Sequence, residues 1–507
     1  MRFTKVIAVN PPSPPGYVSN KDSMGGFGQL YPIGATPFPP LDLIYLVSYL
    51  AEKNLPVEVF ECLAHELNNE QLIEKIASLS ESENGKRTFV LIRTSAPTLD
   101  WDLQVCREIK ERVDKVCIGI YGPVVSKVLP RIQQEASIEY IIKGDPDENV
   151  EALLNDRDVA EISGLIYRQV DEWIENPSQP FIRELDKLPF PKWEMLPYKK
   201  YRIPKSSTAS EIAFLPIWSS RGCPIGCHYC PYPIGQGVPW RYRSAVNVVD
   251  EIEHLVKDLG IEYILFRDPM FSLNQKRVLQ ICDEIKNRGI KVRWKCETRI
   301  DFLKDETLKA MAEAGCEGIN FGIESADVDI QENVGRKPIT PEQVLHHFNL
   351  CHDLGIKTFG FFIIGLPGDT VDTILRTIKF AVEIKPHWVQ FTASSPFIGT
   401  KLRDWAIAQG LVEESDYAYI NSHEAIVGNE NLSVEQISSL LHVAQFIQNY
   451  LINRKGILKN VEKTSLPYRA AKSATDFACD VLARLILAYA KVRFGRTPGL
   501  QAKERTV

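Results

Sequence analysis

The chain has 507 residues, a formal net charge of −6 at pH 7 and an apolar share of 44%, which predicts a globular protein of two or three domains. Basic residues are spread along the sequence and form no stripe, which excludes an obvious nucleic-acid-binding protein. We expect neither a signal peptide nor a membrane span, because the apolar part of the amino terminus is short and no run reaches the roughly 20 apolar residues that cross a bilayer.

Residues 1–150 alternate short β-branched runs with helical patterns, which predicts a parallel, doubly wound sheet. The expected strands are Lys5 to Val9, Val57 to Phe60, Phe89 to Arg93, Val116 to Ile120 and Tyr140 to Ile142. The helical patterns between them include Leu41 to Glu52 and Leu99 to Arg112. Sheets of this kind bind ligands outside the carboxyl ends of their strands, where the strand order reverses.

Loops suited to such a ligand follow several of these strands, because small residues let the backbone approach a large flat group closely. The first of these loops is the Pro- and Gly-rich stretch Pro11 to Pro40. The later ones contain Ser95 in Arg93-Thr-Ser, Gly122 in Tyr121-Gly-Pro and Gly144 in Lys143-Gly-Asp. On composition alone, ordinary turns explain these loops equally well.

Residues 151–205 are predicted to connect two domains. A hairpin-like stretch, Gly164 to Ile174, precedes a Pro-rich run that is unsuited to a helix or a central strand.

Residues 206–400 repeat the alternation of strand and helix six times, which predicts a partial barrel with its chemistry at the carboxyl ends of the strands. The expected strands are Phe214 to Trp218, Tyr263 to Phe266, Val292 to Lys295, Gly318 to Phe321, Thr358 to Ile364 and Trp388 to Phe391. A loop with three cysteines directly follows the first of these strands and is therefore expected at the chemical face.

Cys223, Cys227 and Cys230 are spaced Cys-x-x-x-Cys-x-x-Cys in that loop. Three closely spaced thiolates can hold three irons of a cubane 4Fe-4S cluster, and without a fourth cysteine nearby the last iron stays open. A zinc site that adds His228 is an alternative, but this histidine directly follows Cys227 and would struggle to reach the same metal. A disulfide framework fits worse, because 11 cysteines without a secretory leader indicate a reducing cytoplasm.

Residues 401–507 are predicted to be mainly helical. Ser433 begins a capping box, and apolar residues recur at helical spacing from Ile437 to Leu451. A second apolar helix, Ala470 to Phe494, precedes a basic tail. These could make a peripheral contact with a membrane surface or a lipid substrate, although a helix packed on the barrel explains the pattern better.

The cysteine loop resembles the signature of radical S-adenosylmethionine (SAM) enzymes, including the aromatic Tyr229 before the last cysteine, which in that family lies against the adenine. Three later segments, which begin at Phe266, Gly318 and Phe361, match the family at the ends of predicted strands. The cofactors that the resemblance implies are a 4Fe-4S cluster held by the three cysteines and SAM on the open iron.

The resemblance also implies which residues surround SAM. They are Tyr229, Asp268, Arg299, Glu324, Ser325, Gly365 and Pro367. Asp268 is the nearest acid where the family often has Gly-Gly-Glu, although the glycines are missing here. Arg299 could face a carboxylate, or form a surface ion pair with Asp301 or Glu297. The last two residues of the series would let the backbone approach the adenine.

A flavodoxin-like (Rossmann-type) domain before a partial (β/α)6 TIM-type barrel and a helical carboxyl-terminal region resembles the cobalamin-binding class of this family. The resemblance implies that Ser95, Gly122 and Gly144 contact cobalamin. The Asp-x-His-x-x-Gly motif that supplies a histidine to cobalt is absent, and His65 lacks its Asp and Gly. We therefore expect no histidine ligand to cobalt from this chain.

The expected activity is that of a cobalamin-dependent radical SAM methyltransferase. It would transfer a methyl group from methylcobalamin to a carbon of a small-molecule or lipid-like metabolite, after a 5'-deoxyadenosyl radical has abstracted hydrogen. The alternatives are cyclisation, oxidation or rearrangement with the same cofactors, and a non-catalytic iron-sulfur or cobalamin carrier. A low-potential electron donor such as flavodoxin or ferredoxin is the expected partner, and the cytoplasm the expected location.

Overall fold

The computed structural model describes residues 3–32, 37–80, 86–178, 181–203, 212–414, 422–453, 481–482 and 485–493. Two seven-stranded sheets dominate these ranges. None of the helices within them is long and apolar enough to cross a bilayer.

The first half of the chain builds one sheet and its covering helices. Its strands are β1 Phe3–Asn10, β2 Tyr17–Asn20, β3 Gln29–Pro32, β4 Val57–Glu61, β5 Arg87–Arg93, β6 Val116–Tyr121, β7 Tyr140–Ile142, β8 Leu165–Gln169 and β9 Glu172–Glu175. Its helices are α1 Leu41–Glu52, α2 Cys62–His65, α3 Asn69–Leu79, α4 Leu99–Arg112, α5 Leu129–Gln133 and α6 Asp147–Leu154.

The first sheet has the order β4-β1-β5-β6-β7-β8-β9. Its first five strands are parallel and confirm the predicted doubly wound sheet, because their apolar runs are buried on both faces, as a parallel sheet requires. The hairpin predicted at Gly164 to Ile174 also forms, and β8 pairs antiparallel with β7. The hairpin therefore extends the first sheet. The strands β2 and β3 form a separate antiparallel ribbon.

The second half begins with an edge strand and then alternates strands with helices. Its strands are β10 Arg202–Ile203, β11 Ile212–Ile217, β12 Ser220–Arg221, β13 Arg241–Tyr242, β14 Tyr263–Phe266, β15 Arg293–Thr298, β16 Cys316–Glu324, β17 Lys357–Ile364 and β18 Trp388–Ala393. Its helices are α7 Tyr232–Gln236, α8 Ala245–Lys257, α9 Gln275–Asn287, α10 Asp305–Glu313, α11 Val328–Asn333, α12 Pro341–Asp353, α13 Val371–Glu383, α14 Lys401–Ala408 and α15 Val434–Phe446.

The second sheet has the order β10-β11-β14-β15-β16-β17-β18. From β11 to β18 its strands are parallel, which confirms the predicted partial barrel of six βα units. Residues alternate along these strands. In β15, for example, Trp294 and Cys296 are fully buried, whereas Lys295 and Glu297 on the other face are only partly buried.

The carboxyl-terminal region is helical where the structure describes it. The capping box predicted at Ser433 is present, with the Gln436 side chain as its second member. Ile437 and Leu440 are buried, as the helical spacing predicted. The predicted helix Ala470 to Phe494 lies mostly outside the described residues, and so does the basic tail beyond it.

The two sheets meet at the carboxyl ends of their strands. The last residue of β5 and the loops that follow β6 and β7 line one cavity together with Trp218 and Arg221, which follow the first barrel strand. The loop at Ser23–Gly26 packs against α7, which follows the cysteine loop. Arg267 of the barrel donates a hydrogen bond of 3.1 Å to the carbonyl oxygen of Asp22. The candidate site therefore lies between the two sheets.

Candidate active site

Several contacts fix the backbone that leads to the first cysteine of the loop. Asp268, fully buried, accepts hydrogen bonds from the backbone and hydroxyl of Ser219 and from the hydroxyl of Ser220. Gly222 has φ +87°, and a β-carbon there would lie 2.2 Å from the carbonyl oxygen of Pro239. The backbone of Cys223 donates to the carbonyl of Gly237 at 3.1 Å. These contacts together fix the backbone position of Cys223.

The three thiols then line one cavity of about 490 Å³. Burial raises the pKa of Cys223 and of Cys230, and the charge of Cys227 raises both pKa values further. Three thiolates in so small a space repel one another, so a bound cationic group would stabilise them together. This is the chemistry of a loop built to hold a metal cluster.

His228, the fourth ligand of the alternative zinc site, lies against the segment after α11. Its imidazole packs against Gly335, where a β-carbon would lie 2.5 Å from Nε2. Across the described residues, no group of three His, Cys, Asp or Glu side chains is placed to hold a single metal ion. The position of the imidazole does not fit a Cys3His zinc site.

Glu324 lies opposite the thiols at the end of β16 and lines the same cavity. Its φ is +67°, a left-handed conformation that is unfavourable for a residue with a side chain. Burial raises the pKa of its carboxyl group, and the charge of Arg336 opposes that rise. Arg336 Nη1 is 3.0 Å from the carboxylate and 3.0 Å from the hydroxyl of Tyr229. Tyr229 and Glu324, both predicted as SAM contacts, are thus joined through an arginine that the sequence did not single out.

Arg299 forms one of the ion pairs that were proposed for it, the pair with Asp301. Its guanidinium forms hydrogen bonds of 2.9 and 3.0 Å with the carboxylate of Asp301. It also lines the cavity, with Nη1 3.9 Å from Sγ of Cys227. The ion pair is buried rather than at the surface, because the side chains of Arg299 and Asp301 are only 5% and 6% exposed.

Four predicted residues lie outside the lining of the thiol cavity. Asp268 holds the cysteine loop, as described above, and its carboxylate is already satisfied there. Ser325 forms a 3.2 Å hydroxyl contact with Thr377 on α13. Gly365 faces the carboxyl-terminal helix, since a β-carbon there would lie 2.7 Å from Ile437. Pro367 lies on the same loop, and β17 lines the cavity through Phe361–Ile363 instead.

A polar cluster at the centre of the cavity was missed by the sequence analysis. Glu297 accepts hydrogen bonds from Arg267 at 2.6 Å, Tyr232 at 3.2 Å and Asn320 at 3.3 Å. These side chains come from four different segments, which only folding brings together. A signal for part of it was present, because polar residues at every second position of β15 predict a polar inner face.

The second cavity, of about 300 Å³, lies under the strand ends of the first sheet. Gly122 and Gly144, both predicted there, line it, with φ of +151° and +81°. A β-carbon on Gly122 would lie 2.2 Å from the carbonyl of Thr94, whereas one on Gly144 would meet nothing within 4 Å. Ser95 does not line this cavity; its hydroxyl lies 3.0 Å from that of Thr98.

Three buried polar atoms of residues that line this cavity have no hydrogen-bond partner among the described residues: the Tyr121 hydroxyl, Oδ1 of Asp147 and Nε of Arg93. Burial raises the pKa of Asp147 to about 7. Buried groups of this kind normally have a partner, so an amide-rich ligand would complete the site. None of the residues that line either cavity is a histidine, and His65 binds the carbonyl of Glu61 through Nδ1 at 2.9 Å.

Buried ion pairs also missed by the sequence analysis hold the Gly-rich loop. Lys21 Nζ is 2.8 Å from the Asp102 carboxylate, and Arg93 lies 3.0 Å from Asp22 and 2.6 Å from Asp42. All of these groups except Asp42 are nearly inaccessible to water. They fix the segment whose continuation, Ser23 and Met24, lines the thiol cavity.

Comparison with known proteins places this geometry in context. The profile described as the radical SAM superfamily matches residues 219–381. An uncharacterized methyltransferase of Pyrococcus horikoshii is 31% identical over 432 residues, which cover 84% of this chain and 90% of that protein. An anaerobic magnesium-protoporphyrin IX monomethyl ester cyclase of Rubrivivax gelatinosus is 29% identical over 374 residues, or 70% of this chain and 64% of the cyclase.

Among solved structures, the radical SAM methyltransferase TsrM of Kitasatospora setae, with cobalamin and a 4Fe-4S cluster bound, shares the fold. The TM-score is 0.63 at 19% identity, and the match covers 80% of this chain and 78% of that one.

Proposed function

The chain belongs to the radical SAM superfamily, and on that premise we propose that it is a cobalamin-dependent methyltransferase that acts on a carbon of a small-molecule or lipid-like metabolite. The observation that carries the proposal is the junction of the two cavities. Asp22 and Gly25 line the cavity under the first sheet, while Ser23 and Met24, between them in sequence, line the thiol cavity. A ligand in one cavity is thus within reach of a ligand in the other.

The thiol cavity fits the cluster and SAM. Cys223, Cys227 and Cys230 would hold three irons and leave the fourth open to SAM, as the spacing predicted. Glu324 and Tyr229 would hold polar and aromatic parts of SAM, because both line the cavity beside the thiols.

The cavity under the first sheet fits part of a cobalamin. Gly144 leaves room for a large planar group, and the unpartnered Tyr121 hydroxyl and Asp147 oxygen could bind its amide side chains. At about 300 Å³ the cavity takes only a portion of such a ligand. The rest would extend past Met24 toward the thiol cavity.

When bound, the cofactors supply the radical and the methyl group. The residues of this chain orient the reacting groups and exclude water. The polar cluster around Glu297 is held by three donors and would fix a substrate in the thiol cavity. Phe361 and Phe397 line the same cavity and would bury the apolar part of that substrate.

We also infer the remaining partners. The chemistry needs an electron from a low-potential donor such as flavodoxin or ferredoxin. The ten cysteines that the structure describes are free thiols, and we therefore place the enzyme in the reducing cytoplasm.

Cyclisation, oxidation or rearrangement is the second candidate activity. The observation in its favour is the similarity to the ester cyclase of Rubrivivax gelatinosus. The non-catalytic carrier is disfavoured, because a carrier has no need for the strained Glu324 and its arginine beside the thiols.

The test is anaerobic reconstitution with iron, sulfide, hydroxocobalamin and SAM under a low-potential reductant. We expect both S-adenosylhomocysteine and 5'-deoxyadenosine, measured by mass spectrometry in the presence of candidate substrates. Deoxyadenosine alone would favour the second activity. If neither product forms, the non-catalytic carrier is the remaining candidate.

Cys227→Ala should abolish SAM cleavage, since it removes one of three ligands to the cluster. Cys351→Ala is the matched control, because Cys351 is a buried thiol on α12, away from the cavity. SAM cleavage that survives in the Cys227 variant would refute the cluster assignment.

A further inference from the structure

A four-residue segment after α11, Val334–Lys337, holds the cysteine loop at several points; we call it the clasp. The backbone of His228 donates to the carbonyl of Val334 at 2.9 Å. The next residue, Gly335, has φ +67° and supports the His228 ring, which leaves no space for a β-carbon. The carbonyl of Lys337 accepts a 3.0 Å hydrogen bond from Arg299, whose other nitrogen lies beside Cys227. The clasp therefore contacts the loop directly after its second cysteine and, through Arg299, reaches that cysteine itself.

Among the residues that line the thiol cavity, Arg336 is the one that belongs to the clasp. It is 4% exposed. Its Nη1 bridges Tyr229 and Glu324 at 3.0 Å each, and its Nη2 donates to the carbonyl of Gly322. The arginine thus links the cysteine loop to the end of β16 through three hydrogen bonds.

The strained part of β16 lies between two of these contacts. The pairing of β16 with β17 shifts register between Gly322 and Glu324, and Glu324 has a left-handed φ. Such a conformation is unfavourable and persists only where the surroundings hold it. Arg336 binds the carbonyl before the irregularity and the carboxylate after it. It therefore keeps the Glu324 side chain directed into the cavity.

We propose that Arg336 is a positioning residue for SAM, which sets Tyr229 and Glu324 in their binding orientation before SAM arrives. A planar guanidinium can serve the hydroxyl, the carboxylate and the carbonyl together, whereas an ammonium group cannot keep the same geometry. Without the arginine, the buried Glu324 carboxylate would lose the cation that contacts it and would turn away or take up a proton. The inference rests on the SAM site of the proposed function and does not depend on methyl transfer.

The test compares Arg336→Gln and Arg336→Lys with the parent enzyme after cluster reconstitution. Arg376→Gln is the control, because Arg376 pairs with Asp327 beside the same strand end but is 59% exposed. Iron and sulfide content reports the cluster, and the change of its EPR signal on SAM titration reports SAM affinity. KM for SAM and kcat of SAM cleavage are measured on the same samples.

We expect a full cluster in each variant and a loss of SAM affinity of at least tenfold in Arg336→Gln, the order expected when a charged hydrogen-bond partner is removed. The loss should appear mainly in KM. Arg336→Lys should recover part of it, and the control should bind SAM within about twofold of the parent enzyme. Parent-like affinity in an Arg336→Gln variant that keeps its cluster would overturn the proposal.

Tyr229→Phe keeps the test decisive if Arg336→Gln loses the cluster. It removes one hydroxyl and leaves the thiols untouched. We expect SAM affinity to fall several-fold, and unchanged affinity would overturn the proposal. Where both variants can be measured, the tyrosine change should have little further effect in the Arg336→Gln background, because the two residues act as a unit. If the variants show these SAM effects but the parent enzyme yields no methylated product, only the proposed function is refuted.

Discussion

The Arg299 guanidinium contacts a carboxylate and a cysteine sulfur. The Asp301 carboxylate neutralises its charge at 2.9 Å, and the Cys227 sulfur lies 3.9 Å away on its other side. The sequence offered an ion pair and a contact with a carboxylate of the cofactor as alternatives for this arginine. The structure shows the ion pair, and it also places the guanidinium beside Cys227, because the residue follows β15 where the cysteine loop passes.

We expect Arg299→Gln to lower the reduction potential of the bound cluster. Reduction adds a negative charge, and the guanidinium beside the Cys227 thiolate stabilises it. Redox titration followed by EPR measures the potential, with Asp301→Asn as a companion variant that should raise it by leaving the arginine uncompensated. A potential unchanged in both variants would contradict this role of Arg299.

Loops at strand ends form the working parts of both sheets. Among the predicted positions of the first sheet, Gly122 is constrained by its own backbone, since a β-carbon would collide with the carbonyl of Thr94. Gly144 has the same kind of positive φ but open space around it. The two glycines share a sequence signal and have different structural reasons, which composition could not separate from ordinary turns.

Gly144→Leu should reduce the retention of cobalamin, because the added side chain enters the cavity that we assign to it. Gly289→Leu is the matched control, since Gly289 has φ +65° and open space after α9, away from both cavities. The two variants should lose similar stability, about 1–2 kcal/mol from the left-handed backbone. Absorption spectra after desalting measure cobalamin, and equal retention in the two variants would count against the assignment.

The complete site exists only where the two sheets meet. Asp145, after β7, pairs with Arg241 at 3.0 Å and with Arg221 at 3.5 Å, both from the ribbon that frames the cysteine loop. Arg221 also lies over the rings of Tyr45 and Trp218. The side chains of both arginines are less than one-tenth exposed. These buried contacts fix the first sheet against the loop that carries the thiols.

Asp145→Asn should destabilise the protein by about 2–4 kcal/mol, because two buried arginines lose their counter-charge. Asp100→Asn is the control. It removes a 2.7 Å ion pair with Arg131 in which the aspartate side chain is 74% exposed, and it should cost less than about 1 kcal/mol. Thermal unfolding of both variants measures the difference. If the two melt alike, the Asp145 contacts do not hold the sheets together.

The sequence by itself determined the periodic elements, the order of the two sheets along the chain and the loop that holds the cluster. These depend on local patterns: apolar runs of strand and helix length, and three cysteines within eight residues. Helix boundaries such as Leu41–Glu52 and Leu99–Arg112 agree with the structure to the residue, because apolar faces and turn residues lie within the helix or directly beside it.

Only the tertiary structure decided which side chains line the thiol cavity. Asp268, Ser325 and Gly365 lie at the expected strand ends, yet they are engaged by Ser219, Thr377 and Ile437 from distant segments. Arg336 and Glu297 reach the cavity without any motif of their own. A side chain's direction depends on partners far away in sequence, and those partners come together only when the strands are laid side by side.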